Sequence, residues 1–437
     1  MMRNKRITAT TLVLAIGASL CLFAGTLRAA SNEQVIHTFG SGSDGQEPLS
    51  GLVSDSLSNL YGTTLAGGEY DAGTVFELSP SEAGWNEKVI YNFEGDRGYP
   101  KATLVLDGEG NLFGTTSGGG VCCGYVFELS PKPDGSWREK VIYKFVGGLY
   151  DGYLPVGTLV FDAAGNLYGA TTWGGNPTCK VGGFTGCGTV FKLTPKKNGK
   201  IWRETILHFF DQKSGQPGAG VIVDAAGTLY GTTPMGGTSK ACYQGCGTVF
   251  ELKRVGGRWR ETTIFNVQGG GNGSSPTGSL LRDASGNLYG ALYKGGNGSG
   301  LIFRLVPRVG RWQESVVYTF CTLNNCADGG SPVGLSSDSH GNIYGATFGG
   351  GTAGDFSCGQ YPSPCGTVFK VVPSKNGWRE SVLYSFPQYQ DDGMFPQAEV
   401  LVETGGTVYG TTFGGGGGTE CTFGAYGGCG TVFEIAP

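Results

Sequence analysis

Asp162-Ala163-Ala164-Gly165-Asn166-Leu167-Tyr168-Gly169-Ala170-Thr171 is followed, after a glycine-rich insert, by Gly188-Thr189-Val190-Phe191-Lys192-Leu193 and then by Trp202-Arg203-Glu204-Thr205-Ile206-Leu207-His208-Phe209. The same blocks return in the same order seven times, roughly every 50–65 residues. The aromatic before glycine falls at Tyr61, Phe113, Tyr168, Tyr230, Tyr289, Tyr344 and Tyr409, and six residues ahead of each stands an acid: Asp55, Asp107, Asp162, Asp224, Asp283, Asp338 and Glu403. A period of this size built from one small unit marks a repeat architecture. The 437 residues are therefore read as one closed repeat domain rather than as two or three ordinary ones.

Each unit holds four apolar segments that are short, rich in β-branched and aromatic residues, and bounded by Gly, Pro, Asp or Ser, which is strand chemistry. In the third unit they are expected from Thr158 to Phe161 (strand A), Asn166 to Thr171 (B), Gly188 to Leu193 (C) and Glu204 to Phe210 (D). Asp162 to Gly165 supplies a tight A–B turn, an acid to accept backbone N–H bonds and a glycine to take positive φ. No segment sustains a 3.6-residue period, so helices should be nearly absent. A small antiparallel sheet cannot cover both of its faces, but stacking successive sheets around an axis as propeller blades does. The expected fold is all-β, a seven-bladed β-propeller of four-stranded antiparallel blades.

The ends of the chain suggest how the ring closes. The seventh repeat stops after strand C, at Gly430-Thr431-Val432-Phe433-Glu434-Ile435-Ala436-Pro437, while Asn32-Glu33-Gln34-Val35-Ile36-His37-Thr38-Phe39 matches Asn86-Glu87-Lys88-Val89-Ile90-Tyr91-Asn92-Phe93 in register. The N-terminal strand, residues 33–39, is expected to complete the last blade and remove an open edge. Residues 31–437 then form the single propeller.

Asn59-Leu60-Tyr61-Gly62-Thr63-Thr64, Gly67-Gly68, Gly73-Thr74-Val75-Phe76-Glu77-Leu78 and Val89-Ile90-Tyr91-Asn92-Phe93, repeated along the chain, resemble the GloVer tandem repeat of exported bacterial proteins. The resemblance implies an extracytoplasmic repeat protein, in a family whose members often carry C-terminal sorting anchors and whose biochemical role is open. With Pro437 inside a repeat, free secretion or periplasmic residence is expected over surface tethering.

Composition narrows the partners. Charged residues make up 15%, the net charge is −4, and lysine and arginine are scattered, so the basic face that nucleic acid requires is missing. Residues 1–30 read as a secretory signal: Arg3, Lys5 and Arg6 precede an apolar run from Thr11 to Gly25 that is short for a membrane span. No membrane span is expected in the mature chain. Removing Cys21 with the signal leaves twelve of the 13 cysteines, in close pairs: Cys122/Cys123, Cys179/Cys187, Cys242/Cys246, Cys321/Cys326, Cys358/Cys365 and Cys421/Cys429. After export these are disulfide candidates. The three histidines, His37, His208 and His340, lie near no cysteine pair, so neither a metal nor another cofactor is expected.

An up-and-down meander places the B–C loops and the D–A crossings between blades on one face, and all six cysteine pairs fall there. Variable loops on a rigid scaffold are where binding resides. Candidate ligand-binding residues are the loop aromatics Trp173, Tyr243, Phe356, Tyr361 and Tyr426, whose rings could stack on sugars. To these we add Asp44, Asp151, Asp328 and Asp392, each followed by glycine and, three residues later, by proline. No catalytic residue is assigned, since the repeated acids end strand A on the opposite face and three scattered histidines do not build a nucleophilic triad. The expected function is a secreted, non-catalytic, monomeric binding or scaffold propeller for a glycan or an extracellular protein. The alternative is a polysaccharide-active glycoside hydrolase or lyase, which needs two carboxylates facing each other at the channel mouth.

Overall fold

The third repeat forms one antiparallel sheet in the order A-B-C-D, with strands Gly152–Phe161, Leu167–Gly174, Thr189–Lys196 and Ile201–Phe209. The computed structural model describes residues 33–437 apart from 41, 119–122, 182–183, 197–198, 200, 297, 353–364, 388–391, 418–420 and 422–426; the expected signal, residues 1–30, lies outside them. Within the described residues the other six repeats build the same sheet, giving a seven-bladed propeller whose helical elements are three single 3-10 turns. Strands C and D run longer than the sequence suggests. Beyond Leu193, Pro195 pairs with Trp202, and the ladder continues to Lys196 and Ile201. Strand A also starts earlier, because the crossing from blade 2 already pairs Gly152 with Gly174.

The core lies between the blades, and the repeated letters are its parts. In every blade but the fourth, where Val267 stands, a phenylalanine at the end of strand D packs on a strand C phenylalanine of the next blade, edge-on in Phe93–Phe127, Phe145–Phe191 and Phe210–Phe250, with ring centroids 5.1–5.2 Å apart. The strand D tryptophan packs against the strand B aromatic of the preceding blade, as in Tyr61–Trp137 and Tyr289–Trp378. Edge-to-face pairs of this kind add about 0.5–1.5 kcal/mol each beyond their buried area. The tyrosine hydroxyl donates back to the acid that opens its own hairpin, Tyr168 Oη to Asp162 Oδ2 at 2.9 Å and Tyr344 Oη to Asp338 Oδ2 at 3.1 Å.

Closure uses the N-terminal strand. Glu33–Thr38 pairs antiparallel with Thr431–Ile435, from Glu33↔Ile435 to Thr38↔Thr431, and completes the seventh blade. Phe39, fully buried, then meets Phe76 of blade 1 at 5.2 Å, so the seam is packed like any other blade interface.

Candidate functional site

Four disulfides are present among the described residues, and all lie on the face of the B–C loops and crossings. Cys179–Cys187, Cys242–Cys246 and Cys421–Cys429 close B–C loops; Cys321–Cys326 closes the crossing from blade 5 to blade 6. Cys123 and Cys365 are disulfide-bonded as well, while Cys122 and Cys358 fall outside the described residues. Cys179, Cys187, Cys246 and Cys429 are buried, so the sulfurs serve as small cores for loops that have little else to bury.

Between blades 3 and 4 the loop face holds a pocket of about 280 Å³ beside Cys187. Its lining has no charged side chain; Gln212, Gln216, Gln244 and Met235 supply the chemistry, over glycine backbone. Gln216 is buried and donates through Nε2 to the carbonyl of Thr172 at 3.2 Å; Gln212 donates to the carbonyl of Lys180 at 3.0 Å. One amide is thus tied to strand B of blade 3 and the other to its stapled loop. Tyr243 stands next to Gln244 with 91% of its surface exposed, and Trp173 follows Thr172, half-buried. Neither ring is part of the lining itself. Phe356, Tyr361 and Tyr426 lie outside the described residues.

The propeller axis opens on the same face as a second cavity, about 380 Å³, to which all seven blades contribute. Glu399 of blade 7 supplies its one carboxylate, and Lys101 its one ammonium group. Glu399 reaches across the ring, accepting through Oε1 from the hydroxyls of Thr103 at 2.8 Å and Thr158 at 3.3 Å. The lining lacks a second carboxylate, which a glycosidase pair would require. No group of three or more His, Cys, Asp or Glu among the described residues is placed to hold a metal ion.

Asp44, Asp151, Asp328 and Asp392 do not line this cavity; they sit in four separate blade interfaces, near the end of strand D. Asp328, fully buried, accepts from Tyr318 Oη at 2.8 Å and from the backbone and hydroxyl of Thr322. Asp392 accepts from Tyr384 and from the Gly393 amide. Asp151 accepts from the Val146 amide at 2.6 Å, and Asp44 faces His37 Nε2 at 3.6 Å. The glycine that follows explains the placement. A Cβ on Gly329 would come within 2.6 Å of both hydroxyl oxygens of the Thr347–Thr367 pair, so the crossing is pressed onto the blade and its aspartate is held at strand D.

Sequence reasoning passed over Glu399 and the glutamines. A signal for Glu399 was there: three residues after each crossing proline the chain carries Gly51, Thr103, Thr158, Gly220, Ser279, Leu335 and, in blade 7, Glu399, the one large polar side chain of the set. For Gln212, Gln216 and Gln244 no pattern was available, since they lie in inserts of unequal length.

Residues 22–178 match the family described as the Gloeobacter/Verrucomicrobia repeat, in agreement with the resemblance drawn from the sequence. A search of curated proteins gives no match. Among solved structures, a Bacteroides fragilis protein provisionally described as a 6-phosphogluconolactonase superposes with a TM-score of 0.50 at 12% identity, covering 80% of this chain and 85% of its own. A Lactobacillus plantarum protein gives 0.49 at 10% identity, with 80% and 86% covered, and a gluconolactonase from Xanthomonas campestris 0.41 at 13% identity, with 69% and 84% covered. At such identities the likeness is one of fold alone.

Proposed function

We propose that the protein is a binding propeller that holds a segment of neutral glycan on its loop face, in the pocket between blades 3 and 4. The observation that carries this reading is the uncharged, amide-lined pocket, with the exposed ring of Tyr243 next in the chain to its lining residue Gln244. Primary amides both donate and accept, as sugar hydroxyls do, and flat rings stack on the apolar faces of pyranoses. The Cys179–Cys187 and Cys242–Cys246 staples reduce the ordering cost of the two loops before any ligand arrives. Stable disulfides suit an oxidising compartment, and no helix among the described residues is long and apolar enough to cross a membrane. We read the protein as extracytoplasmic.

The test is a glycan array probed with the mature chain, followed by calorimetry on Gln244→Ala and Tyr243→Ala and a reducing-sugar release assay on every glycan that binds. Binding lost in both variants, with no sugar released, supports the reading. Release of sugar that stops in Glu399→Gln establishes the enzyme alternative, and binding that survives both pocket variants moves the site elsewhere.

A further inference from the structure

Three blade interfaces share an arrangement of two acids and a phenol. Between blades 2 and 3, Glu204 on strand Ile201–Phe209 faces Asp151 of the crossing and Tyr143 on strand Trp137–Lys144. Between blades 5 and 6, Glu380 on Gly377–Ser385 faces Asp328 and Tyr318, on strand Arg311–Thr319. Between blades 6 and 7, Glu33 on Glu33–Thr38 faces Asp392 and Tyr384. Glu204, Asp151 and Tyr143 are close enough for each to act on the others' ionisation, while in the other two clusters the tyrosine hydroxyl donates to the aspartate, Tyr318 to Asp328 and Tyr384 to Asp392. No lysine, arginine or histidine among the described residues is in ion-pair contact with any of these six acids. Glu33 Oε1, Glu204 Oε1, Glu380 Oε1 and Asp151 Oδ1 are buried with no donor at hand. Two adjacent buried carboxylates without a cation cannot both be ionised at modest cost; one proton between them resolves the conflict.

The repeats themselves supply an internal control. Where the crossing carries no acid, from blade 4 to blade 5, the strand D position of the tyrosine is Phe265. Where His37 and His208 replace the tyrosine, an acid is again beside the ring, Asp44 and Asp211 respectively. The polar group on strand D thus accompanies the acid of the crossing, as a partner should.

We propose that the interfaces between blades 2 and 3, 5 and 6, and 6 and 7 are proton-held latches: in each, two carboxyl groups share one proton under a tyrosine hydroxyl, and loss of that proton loosens the rim of the loop face. Burial, then the neighbouring aspartate, pushes each of the three glutamates up to about 7. A carboxyl whose folded pKa exceeds its unfolded value holds a proton that the unfolded chain has released. Its contribution to stability is complete below the unfolded value of 4.5 and is lost as pH rises toward about 7. The aspartates transmit the change to the loop face, Asp328 through the Thr322 and Leu323 amides inside the Cys321–Cys326 loop and Asp151 through the Val146 amide.

Thermal unfolding of the mature chain and of the E33Q/E204Q/E380Q variant, followed from about pH 5 to pH 9, tests the proposal. The parent should lose several degrees of Tm between mildly acidic and mildly alkaline pH, and the variant, whose amides imitate the protonated acids, should hold its Tm and exceed the parent at the alkaline end. Should the triple variant fail to fold, carboxyl NMR of the parent beside Glu204→Gln decides the matter, with a glutamate signal titrating near neutrality in the parent and missing from the variant. A flat parent profile, parallel profiles, glutamates that titrate below about pH 5, or a parent Tm restored at alkaline pH by millimolar calcium would each overturn it, the last by showing that the pairs hold a cation rather than a proton.

Discussion

Cζ of Phe191 lies where a side chain on Gly169 would begin: a Cβ built there comes within 2.5 Å of the ring. The two residues are direct partners across strands B and C, and the same pair occurs as Gly114–Phe127 and Gly231–Phe250, also at 2.5 Å. Gly169→Ala and Gly231→Ala should therefore destabilise the ring by about 1–3 kcal/mol each, because the phenylalanine is locked between blades and cannot yield. Gly108→Ala, at an open turn with nothing within 4 Å, is the matched control and should be neutral. Denaturant midpoints of the three variants check this, and equal midpoints would remove the steric account of the repeated glycine.

The repeated acid has a measurable role of its own. Asp162 accepts from the Ala164 and Asn166 amides, the Asn166 side chain and Tyr168 Oη, all at 2.7–2.9 Å. Burial works to raise its pKa, but the hydrogen bonds from Asn166, Tyr168 and Ala164 outweigh it, and the carboxyl titrates below the usual 3.8. Asp283 and Asp338 behave alike. Their contribution is present above the unfolded value and is lost as pH falls through the folded one. Acid unfolding should set in below about pH 4, and Asp162→Ala, which leaves partly buried donors unpaired, should cost roughly 1–3 kcal/mol at neutral pH while making that limb shallower.

How much of this was legible in advance depends on whether the period carries it. Tyr168, Asp162, Phe191 and Trp202 recur at fixed offsets, and each occupies the same contact in blade after blade, so order and spacing were enough to read the ring. Asp151 and Asp328 recur as well, and spacing placed them in the crossings, yet it could not show that the following glycine presses the crossing onto a threonine pair and holds the acid at strand D, away from the axis. Glu399 is visible in a different way: the period does not carry it, and it shows only when the seven residues at its own column are set side by side. The amides of the pocket lie in loops whose lengths differ between repeats, where contacts are set by tertiary packing alone.

The staples beside that pocket separate loop order from global stability. Cys179–Cys187 closes a separation of 8 residues and Cys242–Cys246 one of 4. In the chain-entropy account such short closures contribute roughly 2–2.5 kcal/mol apiece. Replacing each pair by serine should lower stability by no more than that and leave one cooperative transition. Glycan affinity should fall further than stability, since Gln212 is held by the carbonyl of Lys180, inside the stapled loop. Calorimetry beside urea melts reads both, and unchanged affinity in C179S/C187S would detach the staple from binding.

The seam of the ring offers the sharpest test of closure. Phe39 has no exposed surface and packs on Phe76 of blade 1, while the strand before it forms the outer edge of blade 7. Phe39→Ala empties a phenylalanine-sized volume between two rigid sheets, a change that costs about 3–5 kcal/mol. Deleting residues 33–39 goes further: it leaves strand Thr431–Ile435 as an open edge that can pair with another chain. The point variant should remain monodisperse with a lowered Tm, whereas the deletion should move toward dimers or aggregates in size-exclusion chromatography. Adding the peptide spanning residues 32–40 in trans should return the deleted chain to a single species, because the empty edge presents the same hydrogen-bonding register that Glu33 to Thr38 fills. A deletion variant that stays monodisperse with the parent's Tm would show that the seam is held by something other than this strand.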